Sequence, residues 1–455
     1  RVHDLLGDRG REIGGPGPDG VDRVPSARYR NDENSAMPVI SADSTPDDYV
    51  RYALYNSPQV ETAYQNWRAA AERMPQVGAL PDPRLRFGFF LNEVETRVGP
   101  QQAVVGVQQT FPWPGKLRDR EDAASKASLA AWRRFEAARL AVAEQAISTL
   151  LDLAYLDATI GITEENLALL VSFEEVVRAR YRVGAGSHPA LIQVQVELGQ
   201  LEDRLLQLQS MRPAYLAALN AVLNRPSSAE VFLSDTLPMR IASVDADELA
   251  EIARRSNPVL LALDEQVEEQ RFLTDVARKD GLPDLTLGLD YFVTGDAIDS
   301  SIPESGDDPI LLSFGINVPL WREKYDAGVR ESIARRLSVA NERADQANRI
   351  AAGIQRAWFE HTDADRRVRL YEQTLIPKAE ESLRASLAGF RAGDTSFLDL
   401  LDTERTLLEF EISAERARSD SGKALARLNT LVGEPVPTET TDHAVPDGDP
   451  GEAQP

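Results

Sequence analysis

The chain has 455 residues, a formal net charge of −23 and 42% hydrophobic residues. Its acidity argues against nucleic acid and anionic lipid headgroups as main partners. The sequence contains no cysteine, which excludes disulfides, thiolate catalysis and a cysteine-linked lipid anchor within it. No run approaches the roughly 18 consecutive apolar residues of a membrane-spanning helix, so a membrane crossing would require strands. Because the sequence starts at Arg1 without a signal segment, a processed or trimmed product is expected.

Both ends of the sequence differ from the rest in composition. Residues 1–44 are rich in Gly, Pro, Asp and Arg, and their apolar residues are sparse and aperiodic. This composition predicts an extended or mobile N-terminal arm. Residues 436–455 have the same character and are predicted to form a disordered tail.

Residues 45–226 are predicted to form a first repeat of helix, strand, strand, very long helix, turn and helix. The first helix starts at a Thr-Pro-Asp-Asp signal and continues to about Val77. Large apolar residues then alternate with polar or small ones, which predicts a β-hairpin over about residues 82–111. No proline interrupts residues 117–181, so one helix of about 65 residues and about 100 Å is expected. It is the first arm of a helical hairpin over about residues 117–224. The alternating strand residues are Leu85, Phe87, Phe89, Ala103, Val105 and Val107.

Residues 244–435 repeat this order after a linker over residues 227–243. The same alternation predicts a second β-hairpin over about residues 284–319. A second helical hairpin is predicted over about residues 323–431, and its first helix runs to about Phe390. The alternating residues of these strands are Leu285, Leu287, Leu289, Tyr291, Leu312, Phe314, Ile316 and Val318.

Matching landmarks in the two halves indicate an internal duplication. Leu-Pro-Asp precedes each hairpin, at residues 80–82 and 282–284. Tyr-Arg-Val-Gly at residues 181–184 matches Phe-Arg-Ala-Gly at residues 390–393. Ordered landmarks about 200 residues apart are the signature of two copies of one unit. The predicted fold class is therefore mainly α with a small β part, built as a duplicated helix–strand–strand–long helix–helix unit.

The four predicted strands allow two interpretations. They could be two surface hairpins that pack on the helices. Alternatively, they could cross a bilayer, since each has the length that a tilted membrane strand requires. Four strands cannot close a barrel with a lumen, and open sheet edges are not tolerated in hydrocarbon. In the second interpretation several chains must therefore pool their strands.

Taken together, these features resemble the TolC-like outer-membrane efflux channel family. The resemblance covers about residues 45–435 and rests on the duplicated element order, the two Leu-Pro-Asp motifs and the segment Phe-Arg-Ala-Gly-Asp-Thr-Ser-Phe-Leu-Asp-Leu-Leu-Asp at residues 390–402. It implies a homotrimer whose twelve-stranded β-barrel lies in outer-membrane lipid and continues into a periplasmic α-helical barrel. It also implies two partners, a periplasmic adaptor (membrane fusion) protein and an inner-membrane RND-type pump.

The resemblance further implies a gate at the periplasmic mouth. Family members carry acids six and nine residues after the turn glycine of the second half, and here these are Asp399 and Asp402. Three copies would form an anionic ring that selects cations. Acids are also favoured in the first turns of any helix by its dipole. The aromatic residues before the two turn glycines, Tyr181 and Phe390, are candidates for the gating contacts or for plain packing.

Two turns would form the tip of the tunnel and dock onto the adaptor. Their small residues allow close backbone approach, although glycine is common at helix ends in any case. The candidate docking residues are Val183, Gly184, Ala185, Gly186 and Ser187 in the first turn, and Ala392, Gly393, Asp394, Thr395 and Ser396 in the second.

The sequence suggests a cargo only weakly. Residues 111–116 (Phe-Pro-Trp-Pro-Gly-Lys) look like the hairpin exit of family branches that are associated with heavy-metal efflux. The four histidines are scattered, and we expect no metal site, no cofactor and no catalysis, since nucleophile elbows, phosphate loops and His-Glu-x-x-His are absent. The predicted function is a passive exit duct for small molecules or metal ions. A duct for type I protein secretion and a soluble coiled-coil scaffold with partner-binding hairpins remain alternatives.

Overall fold

A computed structural model describes residues 39–184, 186–233, 240–299 and 301–440. Most of the predicted N-terminal arm and most of the predicted C-terminal tail lie outside the described residues. The part that is described is mainly helical with a small sheet, as the sequence predicts.

The elements follow in two similar series. The first series contains α1 (Pro46–Asn56), α2 (Pro58–Ala71), α3 (Arg73–Gly78), β1 (Arg84–Thr96), β2 (Gly99–Phe111), α4 (Lys116–Arg182) and α5 (His188–Val222). The second series contains β3 (Arg240–Ala242), α6 (Ala246–Ser256), α7 (Pro258–Asp280), β4 (Leu285–Thr294), β5 (Ile310–Ile316), α8 (Arg322–Leu370), a π-helical turn (Tyr371–Leu375), α9 (Ile376–Ala392), α10 (Phe397–Val432) and β6 (Thr438–Thr440).

Two of the predicted helices are divided in the structure. The region predicted as one helix from residue 45 to about 77 forms three helices. Pro58 lacks the amide hydrogen that would continue α1, and a second break lies at Glu72, between α2 and α3. The helix predicted from residue 323 to 390 contains the π-helical turn directly before α9. Pro377 lies in the first turn of α9, so the ladder of backbone hydrogen bonds is rearranged where proline cannot donate. By contrast, α4 is continuous over 67 residues.

The described residues form two compact units. One comprises residues 65–134 and 261–345, and the other comprises residues 39–64, 135–260 and 346–440. The first unit contains the four-stranded sheet, and the second contains the turns between the long helices.

The sheet of the first unit is antiparallel, with the strand order β1-β2-β4-β5. The central pair, β2 and β4, joins the two repeats in a register that places Val107 opposite Leu289. Among the described residues, no strand pairs with the outer edge of β1 or of β5. A bulge interrupts the β1–β2 register between Phe89 and Val94.

Period-two alternation gives this sheet two unlike faces. One face is apolar and its side chains are exposed, for example Phe89 at 79% and Phe314 at 70%. The register aligns on this face Leu85, Phe87, Phe89, Ala103, Val105, Val107, Gln109, Phe111, Leu285, Leu287, Leu289, Tyr291, Val293, Ile310, Leu312, Phe314 and Ile316, of which Gln109 is a polar exception. We call it the apolar sheet face, and the opposite side, which bears mostly polar or small residues, the polar sheet face.

An ion-pair network lies where the strands meet the helices of the first unit. The ammonium of Lys116 is buried and lies 2.9 Å from Asp280 and 3.5 Å from Asp284. Asp284 also accepts a 2.8 Å hydrogen bond from the backbone N–H of Trp113. The Leu-Pro-Asp motif of the second repeat thus stabilises the exit of the first hairpin.

The core of the second unit is a set of apolar stripes on its long helices. One cluster joins Leu170, Phe173 and Val177 of α4 to Leu400 and Leu401 of α10. These positions recur at helical spacing, so each helix buries one side. One 18-residue window of α4 is apolar enough, by length and composition alone, to cross a membrane, although one third of it is buried within the protein. Core helices of soluble proteins pass the same test, so the window is weak support for a membrane helix.

A two-stranded sheet corrects the predictions for the linker and the tail. Strand β3, at the end of the predicted linker, pairs with β6, at the start of the predicted disordered tail. The pair is fixed to α8, because the backbone N–H of Ala242 donates a 3.1 Å hydrogen bond to Nε2 of the buried His361. Burial lowers the pKa of His361, so the neutral imidazole that accepts this bond is favoured.

Candidate functional site

The candidate site is the end of the second unit where α4 turns into α5 and α9 turns into α10. At the first turn, Gly184 has a left-handed φ of +75°, which glycine adopts without strain. Ser187 caps α5, since its hydroxyl accepts a 3.4 Å hydrogen bond from the backbone N–H of Ala190. Ala185 lies outside the described residues.

The second turn is closed by backbone hydrogen bonds. Gly393 has a φ of +95°, and the N–H groups of Gly393 and Asp394 each donate a 2.9 Å bond to the carbonyl of Gly389. A Cβ on Gly389 would lie 2.2 Å from the hydroxyl oxygen of Thr395. Residues 389–395 therefore form a compact end of α9 that leaves little room for a larger side chain at its base.

Asp399 forms a capping box with Ser396 at the start of α10. The hydroxyl of Ser396 donates a 2.8 Å hydrogen bond to the Asp399 carboxylate, and the backbone N–H of Asp399 lies 3.2 Å from the same hydroxyl. Asp399 and Asp402 are three residues apart and both are exposed, so they share one side of the first turns of α10. The structure thus gives Asp399 a capping contact, while Asp402 has no part in the cap.

The two candidate aromatic residues differ in their surroundings. Phe390 is 8% exposed, and its ring centroid lies 5.7 Å from that of Phe397. Tyr181 is 43% exposed and lies beside His188, with ring centroids 5.6 Å apart. Phe390 is therefore a packing residue within one chain, and Tyr181 keeps an accessible ring.

Arg180, which the sequence analysis did not single out, connects the two turns. Its guanidinium lies 4.9 Å from the ring centroid of Phe390 and donates a hydrogen bond to the backbone carbonyl of Phe390. A cation in the last turn of a helix is favoured by the helix dipole, and this was the available signal in the sequence. The contact holds the end of α4 against the end of α9.

A buried carboxyl lies close to the turns. Glu404 of α10 is 1% exposed, and in the part of the chain that the structure describes its Oε2 has no hydrogen-bond partner. Burial, followed by the charge of Glu197, raises the pKa of Glu404 to about 7, although Arg405 and a hydrogen bond from Asn166 oppose the shift. Oδ1 of Asn166 is also buried without a partner in the described chain. A proton on Glu404 would supply the missing donor between these two side chains.

The spacing of α10 explains how this carboxyl becomes buried. The buried residues around Glu404 recur every three or four positions and form an apolar seam along one side of α10. Glu404 lies at a position of this seam where a leucine would be expected. Beside it, Arg405 forms an ion pair with Glu197 of α5, whose Nε–Oε1 distance is 2.9 Å. The seam consists of Phe397, Leu400, Leu401, Glu404, Leu407 and Leu408.

No group of three or more His, Cys, Asp or Glu residues that could hold a metal ion occurs among the described residues. The site therefore consists of exposed carboxylates, two compact turns and a buried ionisable group. This set can present charge and a docking surface.

Comparison with known proteins agrees with this picture. The model of the outer membrane efflux protein family matches residues 50–225 and 249–434. The chain belongs to this family. The resemblance drawn from the sequence is thereby confirmed, and the chain is an outer membrane efflux protein of a family of channels.

Two curated relatives and one solved structure illustrate the similarity. The outer membrane protein TolC of Vibrio cholerae serotype O1 is 26% identical over 57% of this chain and 60% of its own length, which is less than two thirds of that relative. The cobalt-zinc-cadmium resistance protein CzcC of Cupriavidus metallidurans is 22% identical over 79% of this chain and 82% of its own length. The crystal structure of the outer membrane protein VceC of Vibrio cholerae superposes with a TM-score of 0.70 at 19% identity, covering 86% of this chain and 97% of the other.

Proposed function

We propose that three copies of this efflux protein assemble into a passive exit duct through the outer membrane. The observation that carries the proposal is the four-stranded sheet, which exposes an apolar face and whose outer edges, on β1 and β5, have no partner strand among the described residues. In hydrocarbon every backbone polar group needs a partner, so the edges must pair with other copies. Three copies would supply twelve strands, an even number that is typical of outer-membrane barrels.

The two sheet faces fit this arrangement. The apolar sheet face would contact lipid, and the polar sheet face would line a water-filled interior. A scaffold that stayed in water would expose a patch of this size at the cost of aggregation. No observation on the described chain favours the scaffold over the duct.

The helices of the second unit would form the periplasmic helical barrel of the same trimer. Several apolar side chains on α5 are exposed in the single chain, among them Ile192 at 46%, Val196 at 54% and Leu206 at 65%. Their spacing along α5 is helical, so they lie on one side of it. A neighbouring copy would cover this stripe.

The turn residues would form the gate and the docking tip. Asp402, together with Asp399, would contribute to an anionic ring at the mouth, and Tyr181 would be available for contacts across subunits. The packing contact of Phe390 and the capping contact of Asp399 would hold this tip together within one chain. The two turns would dock onto a periplasmic adaptor, and an RND-type inner-membrane pump would supply the energy.

We propose metal ions or small molecules as the cargo. The similarity to CzcC, named for cobalt, zinc and cadmium resistance, supports metal ions. A duct needs no resident ligands and no catalytic step, so the proposed activity is transport without chemistry.

Thiol cross-linking tests the assembly directly, because the chain has no native cysteine. Leu85→Cys with Phe314→Cys places one thiol on each edge strand, and oxidation in outer-membrane fractions should give dimers and trimers on a non-reducing gel. In the control, Val107→Cys with Leu289→Cys, the thiols are register partners on β2 and β4 and should bridge within one chain. A monomer in both cases, recovered without detergent, would refute the proposal.

A further inference from the structure

One ion pair lies on the polar sheet face and joins the two repeats. Nη2 of Arg86 on β1 lies 2.8 Å from Oδ1 of Asp290 on β4. The two strands are not neighbours, since β2 runs between them. The side chains therefore reach each other across an intervening strand.

Gly106 makes this contact possible. It is the register partner of both residues, opposite Arg86 on one side and Asp290 on the other. A Cβ at this position would lie 1.9 Å from Oδ1 of Asp290. Any larger residue would occupy the space through which the two charges meet, so the glycine, the arginine and the aspartate form one cross-strand unit.

Few other charges share this face. Over the regular register of the sheet its charged residues are Arg84, Arg86 and Asp290. The remaining positions on this face are Gly88, Val104, Gly106, Gln108, Thr110, Thr286, Gly288, Phe292, Leu311, Ser313 and Gly315. Apart from Arg84, the pair is thus surrounded by uncharged side chains.

The two partners differ in exposure. The Asp290 side chain is 13% exposed and lies against the sheet, whereas the Arg86 side chain is 63% exposed and extends from it. The carboxylate is therefore a fixed charge, and the guanidinium is the mobile charge that neutralises it. Removal of the guanidinium would leave Asp290 uncompensated on the polar face.

We propose that the Arg86–Asp290 pair keeps the strand-built part of the duct from preferring either cations or anions. The inference rests on the proposed function, in which the polar sheet face lines the interior. Three copies would then place three balanced pairs around one level of the pore. Rings of charged side chains determine which ions enter a narrow conduit, and substitutions on the lumen side of a barrel tune selectivity. A ring of three neutralised Arg86–Asp290 pairs would let cations and anions pass this level of the pore without strong discrimination.

A double-mutant cycle that removes each charge singly and both together, measured in planar bilayers, tests the proposal. All variants carry Asp399→Ala and Asp402→Ala, so that the tip carboxylates do not dominate the currents. Asp290→Asn leaves three unpaired arginines and should shift the cation-to-anion permeability ratio toward anions by about twofold or more. Arg86→Gln should shift it toward cations by a similar factor, and the double substitution should return it to the parent value. Shifts of the same sign, or no shift in either single variant, would overturn the proposal.

A second measurement avoids any effect of substitution on assembly. In Asp290→Cys, a charged thiol reagent is added to channels that are already inserted. A negatively charged reagent should shift the reversal potential toward cations, and a positively charged reagent should shift it toward anions. Leu289→Cys, one residue away on the apolar sheet face, is the matched control and should not respond. An unchanged reversal potential in Asp290→Cys, or an equal shift in Asp290→Cys and Leu289→Cys, would overturn the proposal. A protein without the cysteine substitutions that never conducts would instead refute the duct itself.

Discussion

The buried carboxyl of Glu404 gives the sharpest prediction for the second unit. Glu404→Gln keeps the shape of the side chain and removes its ability to ionise. Ionisation of Glu404 is costly in the folded protein, because its pKa rises from an ordinary 4.5 to about 7. Since one pKa unit corresponds to about 1.4 kcal/mol, the charged form costs up to about 3 kcal/mol of folding free energy above pH 7.

The sign of the pH dependence follows from the raised pKa. The stability that neutral Glu404 contributes is fully present below pH 4.5, falls as the pH rises toward 7 and is absent above it. Glu404→Gln should therefore stabilise the protein at pH 8 and have little effect at pH 4. Its amide can also donate a hydrogen bond to the unpartnered Oδ1 of Asn166.

Thermal melts in detergent, followed by circular dichroism between pH 4 and pH 8, measure this effect. Glu409→Gln is the matched control, since it changes an exposed glutamate on the same helix. The control should move the melting temperature little at any pH. A Glu404→Gln variant that is less stable at pH 8, or equally stabilised at pH 4 and pH 8, would show that the burial argument is incorrect.

Three further predictions concern other parts of the second unit. Asp399→Ala should cost about 1 kcal/mol of stability through loss of a cap, whereas Asp402→Ala should leave the melting temperature unchanged. The two substitutions together should raise the conductance or weaken the cation preference measured in planar bilayers. Unchanged currents would show that these residues are not part of the gate. Burial lowers the pKa of His361, so acidification below its ordinary pKa of 6.5 should weaken the hydrogen bond from the N–H of Ala242 to Nε2 of His361. The amide exchange rate of Ala242, corrected for its intrinsic pH dependence, should then rise. Constant protection down to pH 5 would contradict this. Gly433→Ala would place a Cβ 2.6 Å from the Cα of Asn257 at a position whose φ is +95° and should destabilise the protein by about 1–3 kcal/mol, which a denaturant titration of the detergent-solubilised chain would reveal.

The sequence predicted elements whose signal is local and repeated. Alternation at Leu285, Leu287 and Leu289 corresponds to β4 in the structure, because one face of a strand carries a period of two. The long proline-free stretch corresponds to α4. The order of landmarks in the two halves was sufficient to recognise the family, since a duplication is visible without any tertiary contact.

Features that depend on distant contacts were missed. Strands β3 and β6 are three residues each and lie about 200 positions apart, so neither has a hydrophobic pattern that predicts pairing. The burial of Glu404 depends on α4 and α5, which cover it, and composition alone favours an exposed glutamate. The π-helical turn before Pro377 requires knowledge of the backbone hydrogen bonds that the surrounding helices maintain.

The strand order has a consequence for how such a ring could have arisen. Each edge of the four-stranded sheet comes from a different repeat, β1 from the first and β5 from the second. A closed circle of three chains would therefore alternate the two halves, and every seam between chains would copy the junction of β2 and β4 inside one chain. A gene encoding a single half could have built the same circle from six identical pieces. In a fused chain the two halves can differ, and they do: Asp399 and Asp402 lie six and nine residues after Gly393, whereas Ala190 and Gln193 hold the same places after Gly184.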